Sequence, residues 1–163
     1  EEIAAVDTLA PEIDLTPLKD LLSDTKILKV FHSARQDMEI FYHLMGVLPA
    51  RIFDSQVAAM VCGFGDSVGY ETLVNRLAGK RIDKTSRFTD WSRRPLSDKQ
   101  LKYALSDVTH LRDLFPQLRD RLAASKREGW IAEEMESGTL RGVPDGTWRC
   151  ARASARSIIS ADI

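Results

Sequence analysis

Cysteine is scarce: Cys62 and Cys150 are the only two in 163 residues. They lie far apart, with neither metal-ligand spacing nor the dense even pattern of a secreted scaffold, which excludes a disulfide framework and a cysteine-based zinc site. Both read as free thiols, with Cys62 in the core. Long apolar runs are missing as well. No stretch approaches the roughly 20 residues of a membrane span, and no charged-then-apolar leader opens the chain, so the expected compartment is the cytoplasm. Charge of one sign is absent: 23 basic and 24 acidic residues leave a net charge of −1, and no global field draws in a polyanion. No internal repeat is visible.

What is present is an ordinary globular composition, 44% hydrophobic and 29% charged, with room for one domain and an extension. Apolar runs predict strands over residues 2–7, 27–31 and 52–53. Helical spacing predicts helices over 15–22, with Asp14 as cap and Pro17 in the first turn, and over 35–45, closed by Gly46. A further helix starts at Asp54 or Ser55 and runs to Val61, and another covers 69–77 before Gly79. Residues 81–91 have no period and read as a loop. Ser97 and Gln100 form a capping box for a long helix whose stripe is Leu101, Ala104, Leu105, Val108, Leu111 and Phe115. Pro116 is expected to kink or interrupt it, with a continuation over 117–124. Another helix is expected over 126–136. Strands alternating with helices indicate an α/β layered fold. Residues 1–130 read as the domain. Residues 131–163 read as linker and ragged tail, because the segment 138–147 gathers three glycines and a proline.

Two features carry chemistry. Tyr103 and Asp107 are four residues apart on one helical face. A carboxylate there can hold a divalent cation while the phenol orients a water, although such a pair also occurs as surface decoration. The second feature is a local basic rim of Lys80, Arg81, Lys84, Arg87, Arg93 and Arg94, with Phe88 and Trp91 among them. Cations that track phosphates and rings that stack on bases suit a single strand. A solvated loop with both aromatics tucked into the core would read the same. Asp37 falls in a first helical turn, where the helix dipole favours an acid without any function. Asp54 is most simply a helix cap, and Asp90 fixes a loop. His32 follows a strand and could line a cleft. His43 and His110 have no histidine or cysteine four residues away, and Glu39 with His43 is more simply a surface contact, so no histidine enters the candidate site.

Four stretches in order, residues 29–39 (Lys-Val-Phe-His-Ser-Ala-Arg-Gln-Asp-Met-Glu), 52–59 (Ile-Phe-Asp-Ser-Gln-Val-Ala-Ala), 89–91 (Thr-Asp-Trp) and 103–108 (Tyr-Ala-Leu-Ser-Asp-Val), resemble the 3′-5′ exonuclease domain of the ribonuclease D family. The resemblance covers roughly residues 2–130. It implies a ribonuclease H-like α/β fold and phosphodiester hydrolysis at two divalent cations, magnesium or manganese, held roughly 3.5–4 Å apart by four carboxylates, with a tyrosine beside them. Residue by residue, Asp37 matches the carboxylate of the second motif. Tyr103 and Asp107 match the third, which implies Asp107 as a metal ligand and Tyr103 as the group that orients the attacking water. The implied partner is the 3′ end of single-stranded RNA, such as a transfer RNA precursor. Arg87, Trp91, Arg93 and Arg94 are the candidates for contacting it.

The first motif, Asp-x-Glu on an upstream strand, has no counterpart. Asp7-Thr8-Leu9 begins like it, but Leu9 stands where the glutamate belongs, and Asp7 lies too close to Asp37. The expectation is therefore a fragment that starts after that motif and stops within the segment leading to a following helical module, near Trp148. Asp37 and Asp107 alone would bind metal weakly and hydrolyse little, and apolar surface would be left exposed. Two other readings remain open: a 3′-5′ DNA exonuclease or proofreading module with the same motifs, and an inactive nucleic-acid- or protein-binding scaffold of this fold.

Overall fold

The computed structural model describes residues 2–127, 129, 160 and 161. In chain order they form α1 (Thr16–Ser23), β1 (Lys29–Phe31), α2 (Arg35–Met45), β2 (Ile52–Asp54), α3 (Ser55–Val61), α4 (Tyr70–Ala78), α5 (Asp98–Ser125) and β3 (Ser160–Ala161). β1 and β2 pair in parallel, Val30 opposite Phe53, with α2 as the crossover between them. β3 adds to the other side of β1, antiparallel, with Val30 opposite Ser160.

The pleat sorts the core into two layers, because successive strand residues face opposite sides. Val30 and Phe53 join Leu73 and Val74 of α4 and Leu111, Leu114, Leu118 and Leu122 of α5. Phe31, with Ile52 packed against it, joins Leu22 of α1 and Met38 and Phe41 of α2. The result is a helix/sheet/helix sandwich, with α2 leaving the end of β1 and α3 the end of β2.

Several expectations hold: α2 runs over the predicted residues and closes at Gly46 (φ +68°), and α4 closes at Gly79 (φ +63°). Others need correction. Residues 2–7 form no strand. No described strand lies beside them, and without a ladder a short extended segment has nothing to hold it; Ile3 and Val6 stay 40% and 50% exposed. β1 starts at Lys29 rather than at residue 27, because the Asp24 and Ile27 carbonyls accept from the buried Lys29 ammonium and the Lys26 carbonyl from Arg51. Asp14 sits one residue before the α1 cap, Leu15, and accepts from the Thr16 N–H (2.9 Å). The predicted helix over 126–136 does not begin as expected: Lys126, at φ +56°, caps α5, and residues 128 and 130–136 lie outside the described residues. The same holds for Trp148, Cys150 and most of the predicted tail, of which Ser160–Ala161 is a paired strand rather than a loose end.

Pro116 does not interrupt α5, which is one helix of 28 residues. Proline inside a helix costs about 3 kcal/mol. Leu111 and Leu114 before it and Leu118 and Leu122 after it are buried on one face, each contributing about 1.5–3 kcal/mol. Packing on both sides therefore outweighs the lost donor. Upstream of Leu111 the predicted stripe is only half-buried: Leu101 and Leu105 line a cavity of about 440 Å³ with Asp98, Lys102, Ser106 and Thr109. Pro116→Ala should raise the unfolding free energy in urea by about 1–3 kcal/mol; a drop would mean that the ring contributes packing of its own.

Candidate active site

The site is built outward from Asp54, the last residue of β2 and the cap of α3. Its carboxylate is buried and accepts three backbone N–H groups: Ser33 (3.0 Å) and Gln56 (2.8 Å) on Oδ1, Ala34 (2.8 Å) on Oδ2. The sequence reading as a cap is correct, and the same group also fixes the turn that leaves β1. Ser33 takes φ +60° there, a conformation side chains disfavour, and its N–H bond to Asp54 holds it in place. That turn launches α2, so the direction of the helix carrying Asp37 in its first turn is set by a carboxylate twenty residues away from Ala34 in sequence.

His32 lies beside this turn. Its Nδ1 is 2.9 Å from Ser55 Oγ, and its ring stands 5.2 Å from that of Tyr70. The Tyr70 hydroxyl donates to the Asp107 carbonyl (2.6 Å). Burial raises the Tyr70 pKa strongly, with the Asp107 and Tyr103 side chains adding to it, so the phenol stays protonated and able to donate. Burial lowers the His32 pKa, opposed by the charge of Asp54. Ser55, His32, Tyr70 and Asp107 thus connect the β1 and β2 ends to the middle of α5.

The start of α5 is fixed from the other side. Gln100 is buried, accepts from the Ser97 N–H (2.9 Å), and donates through Nε2 to the Asp90 carbonyl (3.0 Å) and to Thr89 Oγ1 (3.2 Å). One turn on, the Tyr103 ring stands 6.0 Å from Trp91, whose Nε1 donates to the Ser86 carbonyl (3.2 Å). Asp90 accepts from Ser92, so it fixes the loop as expected.

Tyr103 and Asp107 share one face of α5, both half-buried, and Asp107 Oδ1 is out of contact with solvent. Asp37 is half-buried on α2. Among the described residues no three His, Cys, Asp or Glu side chains come together to hold a metal ion, so Asp37 and Asp107 do not by themselves fit a two-cation site. In the basic rim, Lys80 pairs with Asp113 (2.6 Å) and Lys84 with Glu71. Arg94 binds Asp7 through Nε and Nη2 (both 2.5 Å) and gives Nη1 to the Trp91 and Arg93 carbonyls. Arg87 and Arg93 are exposed. Trp91 is tucked inward as one sequence reading had it, but Phe88 is 90% exposed. Tyr70 escaped the sequence reading because its role depends on a contact 37 residues away, and its only local signal is a phenol opening a helix after Gly69.

Asp54→Asn should place an amide donor against one of the three N–H groups and lower stability by about 1–3 kcal/mol in urea unfolding, with faster exchange of the Ala34 amide; unchanged stability and exchange would deny the carboxylate this role. A second expectation concerns acid. The folded-state pKa of His32 lies below its ordinary value, so the unfolded chain binds the proton more readily. Stability should be complete above about pH 6.5 and fall as pH drops below that, and His32→Gln should flatten part of the fall. His110, shifted the same way by burial and Lys80, keeps its share in the variant. An identical pH profile in His32→Gln would show that the imidazole plays no part.

Comparison with known proteins identifies the family and the fold. A family model described as 3′-5′ exonuclease matches residues 1–123. Ribonuclease D of Granulibacter bethesdensis is 53% identical over 154 residues, covering 92% of this chain and 39% of the relative. The crystal structure of Escherichia coli RNase D, an exoribonuclease involved in structured RNA processing, superposes with a TM-score of 0.76 at 33% identity, over 79% of this chain and 34% of that one. Brucella melitensis NrnC, solved with bound Mg²⁺, gives a TM-score of 0.69 at 30% identity, over 76% of this chain and 60% of that one. The chain spans about two fifths of the length of the curated relative from Granulibacter. A chain with this α/β sandwich, these motifs on α2 and α5, and a match over residues 1–123 belongs to the 3′-5′ exonuclease family, and its named relatives there are ribonucleases D.

Proposed function

We propose that this chain supplies the second- and third-motif part of a metal-dependent 3′-5′ exoribonuclease acting on single-stranded RNA 3′ ends, such as those of transfer RNA precursors, in the cytoplasm. The observation that carries the reading is the seating of Tyr103 and Asp107 on one face of α5, held by Gln100 and Trp91 at one end and by Tyr70 at the other. Relatives named ribonuclease D support it, as do the NrnC structures with Mg²⁺ and with pGG. No described helix is long and apolar enough to cross a membrane.

In this reading residues 1–130 are the exonuclease part and 131–163 the connecting segment. Asp37 and Asp107 are hard oxygen ligands for magnesium or manganese, and the Tyr103 hydroxyl orients the attacking water. Trp91 backs the Tyr103 ring. Arg87 and Arg93 meet phosphates, while Arg94 braces the loop through Asp7 and adds positive charge beside it. Two carboxylates do not complete a two-cation site, so full activity requires further acids of the Asp-x-Glu kind.

The test is a timed digestion of 3′-tailed single-stranded RNA, with and without divalent cation, by a protein that carries those acids together with this chain. Tyr103→Phe should fold normally and shorten the RNA about 10²–10⁴-fold more slowly, and Asp107→Ala should abolish stepwise shortening. Equal rates in Tyr103→Phe would remove the phenol from the chemistry. Shortening without divalent cation would remove the metal.

A further inference from the structure

Phe88 is 90% exposed, against 57% for Leu9 and 50% for Val6, the next most open large apolar side chains among those described. A ring left in water on a loose loop would have no meaning, but this loop is fastened on both sides of it. Ser86 is buried, and its carbonyl accepts from Thr89 Oγ1 (2.8 Å) and Trp91 Nε1 (3.2 Å). The Arg87 N–H donates to the Lys84 carbonyl (3.0 Å), and Thr89 and Asp90 are tied to Gln100 at the start of α5. The ring is therefore displayed by fixed backbone, on a loop anchored to the helix that carries Tyr103 and Asp107.

Charge identifies the kind of partner. The Arg87 guanidinium stands over the Phe88 ring, 5.3 Å from its centroid. Arg93 is exposed on the same loop. An aromatic face beside cations fits a ligand that combines a flat ring with an anionic backbone: the ring stacks on the base and the guanidinium reaches the adjacent phosphate. A protein partner that recognised an isolated ring would have no use for the flanking cations. Trp91, not Phe88, stands against Tyr103.

We propose that Phe88 and Arg87 form a stacking site for one base of single-stranded RNA, distinct from the nucleotide held at Tyr103 and Asp107. The site rests on the single-strand reading of the function given above. It makes grip on the strand depend on a base away from the reacting end, with no demand on which base it is, since every base offers a π-face.

The test measures binding without hydrolysis. Fluorescence anisotropy of a labelled oligoadenylate, and of an abasic sugar-phosphate strand of the same length and charge, is followed with this chain in the absence of divalent cation. Phe88→Ala should weaken the oligoadenylate roughly tenfold and leave the abasic strand unchanged. Phe88→Trp should keep the affinity, and its added indole fluorescence should be quenched by oligoadenylate but not by the abasic strand. Arg87→Gln should weaken both strands. Because Phe88 is exposed, none of these variants threatens the core. If wild type binds oligoadenylate and Phe88→Ala binds it equally well, or loses both strands alike, the stacking site is wrong while the nuclease reading stands. If wild type binds neither strand, the single-strand reading fails and the stacking site with it.

Discussion

Three backbone N–H groups converge on the carboxylate of Asp54, and the rest of the site depends on that convergence. One N–H belongs to α3, which Asp54 caps. The other two belong to the turn after β1, where Ser33 adopts φ +60°. A single buried acid therefore sets the start of α3 and the exit of the chain into α2. Charge-assisted bonds to N–H groups are stronger than neutral ones, and a carboxylate so surrounded needs no cation to offset its charge. This is why an acid at the end of β2 serves as structure here.

The neighbouring contacts extend that fixed point across the sandwich. Ser55 follows Asp54 and meets His32; His32 packs on Tyr70; Tyr70 donates to the Asp107 carbonyl. Each is a local contact of ordinary strength, about 1 kcal/mol for a neutral hydrogen bond, and their value lies in continuity. They pass position from the β1 and β2 ends to the turn of α5 where Asp107 sits. Gln100 does the same at the start of α5 for the loop bearing Phe88 and Trp91. Asp107, Phe88 and Trp91 are thus held on or against rigid elements by supporting contacts.

Much of this was legible in the sequence, for identifiable reasons. The period of apolar residues placed α2, α4 and α5, and turn chemistry placed Gly46, Gly79 and the Ser97–Gln100 box, because those signals are local. The resemblance to the exonuclease motifs is likewise carried by local runs of sequence, and the family match over residues 1–123 agrees with it. What failed was decided by distant partners. Residues 2–7 have strand-like composition but no neighbouring strand to pair with among the described residues. Pro116 breaks a helix in isolation, yet the leucines on either side of it are buried in one cluster. Asp54 read as a cap, and only the folded chain brings Ser33 and Ala34 to its other lone pairs. Tyr70 carries only the weak local mark of a phenol opening a helix after Gly69, and the exposure of Phe88 cannot be told from burial in a loop without period.

We propose that Asp37 and Asp107, on different helices, serve one divalent-cation site. The measurement that tests it most directly is paramagnetic broadening of this chain's backbone amide signals during titration with Mn²⁺. Signals flanking Asp37 and Asp107 should broaden together, at the same cation concentration, and Asp107→Asn should suppress both sets. Broadening around one residue alone, or persistence of the Asp37 set in Asp107→Asn, would contradict a shared site.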